Sequence, residues 1–252
     1  MPIAANLYYA EQRSDTGRFP LVLIHGSGGT HLHWPPEVRR IPGQPVYALD
    51  LPGHGKSEGL GQQAVSEYAE AVIAWSDAVG FEQAVFTGHS MGGAICQYLA
   101  LHFAERVAGL GLIGTGARLR VLPEILENSA SSLTFPRAVD LIMQKAYAPQ
   151  TDPRLVELAR ARMLEVRPTV LHSDYLACNQ FDLMAEIKNI QAPTLIMTGL
   201  EDQLTPPRYA QYLANKIPKS TLILVPEAGH MLALEKPHEV ASELLNFLVR
   251  LN

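Results

Sequence analysis

One serine between two glycines carries the sharpest chemical possibility in this chain. Gly88-His89-Ser90-Met91-Gly92 is a Gly-x-Ser-x-Gly pentapeptide. A serine hydroxyl is a weak nucleophile until a neighbouring base takes its proton, and that base works best when a third group orients it. The chain offers both groups further along. Asp202 lies in Gly199-Leu200-Glu201-Asp202-Gln203-Leu204-Thr205-Pro206, with Glu201 as a competing carboxylate beside it. His230 lies in Glu227-Ala228-Gly229-His230-Met231. An imidazole ionises near neutral pH, so it can accept a proton and return it within one reaction. Attack on a carbonyl also needs donors for the developing oxyanion. His25-Gly26-Ser27-Gly28-Gly29 lets the backbone approach a ligand closely, and the Ser27 and Met91 backbone N–H groups are the two candidates for that hole. The reaction these parts imply is acyl transfer: hydrolysis of a carboxylic ester through an acyl-enzyme.

Such residues work only if the fold brings them together. Apolar β-rich runs alternate with helical stretches: strands are expected at Leu21–Ile24, Val46–Leu49, Ala84–Thr87, Val107–Ile113, Thr194–Met197 and Thr221–Val225. Helices are expected at Val65–Val79, Gly92–Phe103, Pro207–Lys216 and Pro237–Val249. This pattern predicts an α/β fold with a mostly parallel, doubly wound sheet covered on both faces. Residues near Tyr8–Gln12 suit an antiparallel edge strand. Ser27, Ser90, Asp202 and His230 each follow a predicted strand, on the side where open parallel sheets bind ligands. From about Ala117 to Ile190 the strand rhythm stops. Pro123, Pro136, Pro153 and Pro168 punctuate a run of short helices there, expected at Pro123–Ser129, Pro136–Tyr147, Pro153–Glu165 and Val170–Met184. The expected organisation is a core of residues 1–116 and 187–252 with a helical cap of residues 117–186.

Composition narrows the classes. Of 252 residues, 47% are hydrophobic and 18% charged, which suits a packed globular core. The net charge of −5 and the lack of a basic block argue against a nucleic-acid partner. No apolar run approaches the roughly 20 residues that span a bilayer. With no leader pattern visible and only Cys96 and Cys178 as cysteines, a reduced, cytoplasmic protein is expected, without a membrane partner. The cysteines and the His31-Leu32-His33 pair have no metal-ligand spacing, and neither the Rossmann nor the P-loop glycine pattern occurs, so no metal or organic cofactor is expected. Asp50 and His54, in Asp50-Leu51-Pro52-Gly53-His54-Gly55-Lys56-Ser57, read as a structural loop at the rim, and His89 as a packing residue.

With these motifs in place, the chain resembles the α/β-hydrolase fold superfamily. His25-Gly26-Ser27-Gly28, the Asp50–Ser57 loop, Gly88–Gly93, Gly199–Pro206 and Gly229-His230 occur in the expected order, with serine, acid and base in the succession that family uses. The resemblance implies a cap inserted after the sixth strand. Ser90 stands where haloalkane dehalogenases and epoxide hydrolases carry aspartate. Gly28-Gly29 departs from the proline that meta-cleavage C–C hydrolases usually show in that loop. The expected activity is a carboxylesterase on neutral short-to-medium acyl esters, with Trp34, Leu204, Met231, Phe135 and Ile142 as substrate contacts. The alternatives are a lactonase, a C–C bond hydrolase or perhydrolase, an esterase for carrier-linked acyl chains using Arg154, Arg160, Arg162 and Arg167, and a ligand receptor without catalysis. Oligomeric state is left open.

Overall fold

A computed structural model describes residues 2–251. Eight strands form one sheet: β1 (Ile3–Ala4), β2 (Leu7–Gln12), β3 (Leu21–Ile24), β4 (Val46–Leu49), β5 (Ala84–His89), β6 (Val107–Ile113), β7 (Thr194–Gly199) and β8 (Ser220–Val225). Their order is β1-β2-β4-β3-β5-β6-β7-β8. Pairing is antiparallel from β1 to β2 and from β2 to β4, and parallel from β4 to β8. The edge strand therefore forms as expected, and β1 extends it.

The helices are α1 (Pro36–Arg39), α2 (Val65–Val79), α3 (Met91–His102), α4 (Pro123–Ser129), α5 (Phe135–Ala146), α6 (Pro153–Leu164), α7 (Pro168–Gln180), α8 (Pro207–Lys216), α9 (Leu232–Glu235) and α10 (Pro237–Val249). Proline occupies the first or second position of α1, α4–α8 and α10, where its missing N–H costs nothing. This explains one departure from the sequence reading: α7 starts at Pro168, not Val170, and it stops at Gln180, four residues short of Met184. The chain turns extended at Phe181, which caps the helix and begins the return to the sheet.

The central strands β3–β7 are buried on both faces, so alternate residues join different cores. Val22 and Ile24 of β3, Tyr47 and Leu49 of β4 and Phe86 of β5 pack with Tyr68, Val72 and Trp75 of α2 and Ile95 and Leu99 of α3. Leu21, Leu23, Val46, Ala48 and Val85 point the other way, onto Val38 of α1 and Val240, Leu244 and Leu248 of α10. Each such side chain contributes about 1.5–3 kcal/mol by leaving water. The period of two along the strands and of three to four along the helices fixes which face each element presents.

Helices α4–α7 form the insert between β6 and β7. Their own core contains Ile125, Phe135, Val139, Ile142 and Leu171. The insert leaves and rejoins the sheet through a narrow neck. Arg118 bridges Asp182 across it, and Leu183 N donates to Ala117 O at 2.7 Å. No described helix is long and apolar enough to cross a membrane.

Candidate active site

Parallel strands place their carboxyl ends on one edge of the sheet, and four loops meet there. The first is the turn from β5 into α3. Ser90 sits at its tip with φ 54° and ψ −116°, in a region that side chains other than hydrogen rarely occupy. The flanking glycines make this turn possible. A Cβ on Gly88 would lie 2.1 Å from the Gly92 carbonyl carbon, and one on Gly92 would lie 2.2 Å from Ile24 O. The backbone is held by Ser90 N donating to Ile113 O at 2.9 Å and by Thr115 Oγ1 donating to Ser90 O at 2.8 Å. Met91 is the first residue of α3, so its N–H has no intrahelical acceptor.

The loop after β7 carries Asp202, which is buried. Its Oδ1 accepts from Leu204 N at 2.9 Å and Thr205 N at 2.8 Å. Its Oδ2 accepts from Thr205 Oγ1 at 2.8 Å and His230 Nδ1 at 2.9 Å. Burial opposes the charge, but His230 and the Thr205 donors outweigh it and hold the Asp202 carboxyl below the usual range. Glu201, the competing carboxylate, turns away and accepts from Gln150 Nε2 at 2.9 Å.

His230 follows β8. With Nδ1 donating to Asp202, the neutral ring presents Nε2 as an acceptor. His230 and Ser90 line the same cavity, together with Ser27. The Ser90 hydroxyl forms no hydrogen bond among the described residues. His89 does more than pack. Its Nε2 donates to His230 O at 2.8 Å, and the two rings lie 4.7 Å apart. Burial and the adjacent His230 push its pKa down to about 3, so it stays neutral and holds the His230 backbone in place. Gly229 N donates to Glu235 Oε1 at 3.0 Å, and the same carboxylate accepts from Ala148 N at 2.9 Å, tying the His230 loop to the end of α5.

The fourth loop follows β3. His25 Nδ1 donates to Gly26 O at 2.7 Å while Leu51 N donates to His25 Nε2 at 3.1 Å. Gly28 has φ +64°, and its N–H donates to Asp174 Oδ2 at 2.7 Å. Ser27 lines the cavity, and its hydroxyl donates to Met91 Sδ of α3 at 3.7 Å. Asp50 is structural, as expected: its carboxylate accepts from His31 N at 2.6 Å and Lys56 N at 2.9 Å.

The cavity holds about 300 Å³. Leu204, Met231 and Ile142 line it, as the sequence suggests, joined by Leu119, Ile125 and Met163. Trp34 and Phe135 do not. Trp34 is buried beneath the sheet with Val38 and Leu21, because the turn after Thr30 swings it to the α10 face. Phe135 fills the interior of the insert against Val139 and Leu171. Arg120, Arg208 and Gln203 also reach the cavity, which the sequence reading did not anticipate. Arg120 and Arg208 are both exposed. No group of histidine, cysteine, aspartate and glutamate suited to a metal is present among the described residues.

Fold and site together define a class, and comparison with known proteins agrees. The alpha/beta hydrolase fold family matches residues 20–237, and the chain belongs to that family as a hydrolase. It is 31% identical over 92% of its length to the dihydrolipoyllysine-residue acetyltransferase component of the acetoin cleaving system of Pseudomonas putida, and spans 64% of that protein. It is 26% identical to the pimeloyl-[acyl-carrier protein] methyl ester esterase of Pectobacterium carotovorum, covering 96% of this chain and 98% of that one. Among solved structures, a thermophilic esterase superposes with a TM-score of 0.83 at 37% identity, over 98% of this chain and 99% of that one.

Proposed function

We propose that the protein is a serine esterase for short-to-medium acyl chains, with Ser90 as nucleophile, His230 as general base and acid, and Asp202 as the orienting carboxylate. The observation that carries this reading is the strained Ser90 turn facing the same cavity as an imidazole whose Nδ1 is fixed by a buried, ionised aspartate. Ser90 Oγ attacks the ester carbonyl and its proton passes to His230 Nε2. The carbonyl π pair moves to oxygen, where the Ser27 and Met91 amides receive it. Collapse expels the alkoxide, which takes the proton from His230. Water then repeats the sequence on the acyl-enzyme, releasing the acid and restoring Ser90. No cofactor enters. A cavity of about 300 Å³ sits at the low end of small-molecule sites, which run from about 300 to 1,000 Å³, and favours compact acyl groups. Residues 117–186 act as the cap over it.

Of the four arginines considered for a carrier-linked acyl chain, three have partners within the chain. Arg160 pairs with Asp140 at 2.7 Å, Arg162 with Glu165 at 3.0 Å, and Arg167 donates to Gly53 O at 2.8 Å. A second reading has its own observation. Arg208 lines the cavity, and its guanidinium lies 5.3 Å from the Tyr209 ring with no acid partner among the described residues. An ester with a carboxylate at its far end would pair with it.

The test is hydrolysis of a p-nitrophenyl acyl series and a lactone panel by the wild type and Ser90→Ala. Activity is expected to be highest at butyrate or hexanoate and to fall by orders of magnitude in the variant, with the fold retained. Undiminished activity in Ser90→Ala refutes the mechanism, and a wild type silent on every ester and lactone supports the receptor alternative. Faster turnover of dicarboxylate monoesters, lost in Arg208→Ala, selects the second reading.

A further inference from the structure

Asp174 is a carboxylate that the triad does not use. It lies on α7 of the cap and is fully buried. Three donors from three separate parts of the core converge on it. Gly28 N reaches Oδ2 at 2.7 Å, His54 Nε2 reaches Oδ2 at 2.9 Å, and the Tyr68 hydroxyl donates to Oδ1. His54 Nδ1 faces Pro52 O at 3.0 Å. Both ring nitrogens of His54 thus point at oxygen acceptors, so both carry hydrogen and His54 is held as an imidazolium. Burial opposes that charge, but Asp174 and the Pro52 carbonyl overcome it and raise the His54 pKa. A cap carboxylate and a core imidazolium form a closed pair out of solvent.

The position of Gly28 gives this pair a bearing on chemistry. The Ser27–Gly28 peptide is one rigid plane, and its N–H is aimed at Asp174 instead of the cavity. Gly28 sits at φ +64°, and glycine populates both signs of φ with similar ease, so the loop has no intrinsic reason to stay there. α7 makes further contacts with the same two residues. Ser27 Oγ lies 3.5 Å from Cys178 Sγ, and a Cβ on Gly28 would come within 2.8 Å of Leu171 Cδ1.

We propose that Asp174 is a positioning residue for the oxyanion hole: by holding the Gly28 N–H from the cap side it fixes the Ser27–Gly28 peptide, which constrains the turn at Ser27 and so the direction of the adjoining Gly26–Ser27 peptide, whose N–H faces the reacting carbonyl, and the hole is complete only with α7 seated. This rests on the reading of Ser27 and Met91 as the hole.

The test compares wild type with Asp174→Ala, which removes the acceptor of the Gly28 N–H, active sites being counted with a phosphonate titrant. Two inhibitors report different states. An alkyl trifluoromethyl ketone adds to Ser90 and places an oxyanion in the hole, whereas the matching unreactive amide stays planar. Losing an oxyanion donor outright costs about 10²–10³-fold in kcat, and misorienting one is expected to cost about 10–100-fold with KM little changed. Trifluoromethyl ketone affinity is expected to fall by the same factor while amide affinity holds. Equal loss of both, or loss of neither, overturns the proposal. If Asp174→Ala does not fold, Tyr68→Phe removes one anchor of the carboxylate and keeps the ring. The ratio of the two affinities should then shift in the same direction, and an unchanged ratio overturns the proposal. A wild type that neither cleaves esters nor adds the ketone at Ser90 refutes the triad reading and this proposal with it. Normal wild-type behaviour with indifferent variants refutes this one alone.

Discussion

Asparagine at position 202 is expected to inactivate the site without unfolding it, and the structure fixes how. Asp202 Oδ1 already receives two backbone amides, from Leu204 and Thr205. In Asp202→Asn the side-chain carbonyl must stay on that side. Rotating the amide by 180° would turn its NH2 toward those two buried N–H groups and leave them unpaired, at about 1–3 kcal/mol each. The NH2 therefore occupies the Oδ2 position, 2.9 Å from His230 Nδ1. There it can only donate, so Nδ1 becomes an acceptor and the proton moves to Nε2. The ring then faces Ser90 with a hydrogen where it needs a lone pair. In a comparable triad this change lowers kcat by about 10⁴-fold, and about 10³–10⁴-fold, or 4–5.5 kcal/mol of barrier, is expected here. The assay is kcat on p-nitrophenyl butyrate at pH 7–8 beside a thermal melt. Glu201→Gln serves as control and should leave kcat unchanged, because Glu201 bonds Gln150 at the surface. If a folded Asp202→Asn keeps more than about a tenth of wild-type kcat, the tautomer argument fails.

Two further outcomes follow from strain and from buried histidines. Ser90→Gly should melt above Ser90→Ala, since only glycine accepts φ 54° freely; about 1 kcal/mol, or roughly 2–4 °C for a chain of this size, is expected, and equal melting temperatures would show that the turn stores no strain. Acid should destabilise the fold well before the carboxylates titrate. His89 and His33 have pKa values lowered by burial to about 3 and about 4 from 6.5, and His25 is also lowered, so the folded chain keeps them neutral while the unfolded chain protonates them. Their contribution is complete above pH 6.5 and is lost as pH falls toward the folded values. Denaturant midpoints measured from pH 7.5 to 4.5 should decline with a slope that His89→Asn makes shallower; an identical slope would contradict this account.

The sequence displayed Ser90, Asp202 and His230 as candidates because close backbone approach leaves a local mark. Gly88, Gly92, Gly199 and Gly229 each abut another main chain, so each motif is written within a few residues. Strands buried on both faces were legible as short apolar runs for the same reason. Contacts across long separations left no such mark. Asp174 meets Gly28, His54 and Tyr68 from 146, 120 and 106 residues away, and nothing near Asp174 advertises them. Trp34 and Phe135 show the complementary failure. An apolar residue beside a motif, like Trp34, or on a cap helix, like Phe135, looks like a pocket wall until its facing is known, and both turn into packed cores. Arg120 and Arg208 went unnoticed because an isolated arginine carries no pattern at all.

The neck formed by Ala117, Arg118, Asp182 and Leu183 has a bearing on engineering. Only two chain crossings join the insert to the sheet, and they lie side by side, so a different helical insert could be grafted there without disturbing a strand. Such a chimaera would still have to reproduce two distant handshakes. One is a carboxylate beneath Gly28, and the other is a backbone turn that meets Glu235 beside His230. A graft that closes the neck but omits them should yield a soundly folded protein with poor turnover, which makes these two contacts the first coordinates to copy when new substrate pockets are built on this scaffold.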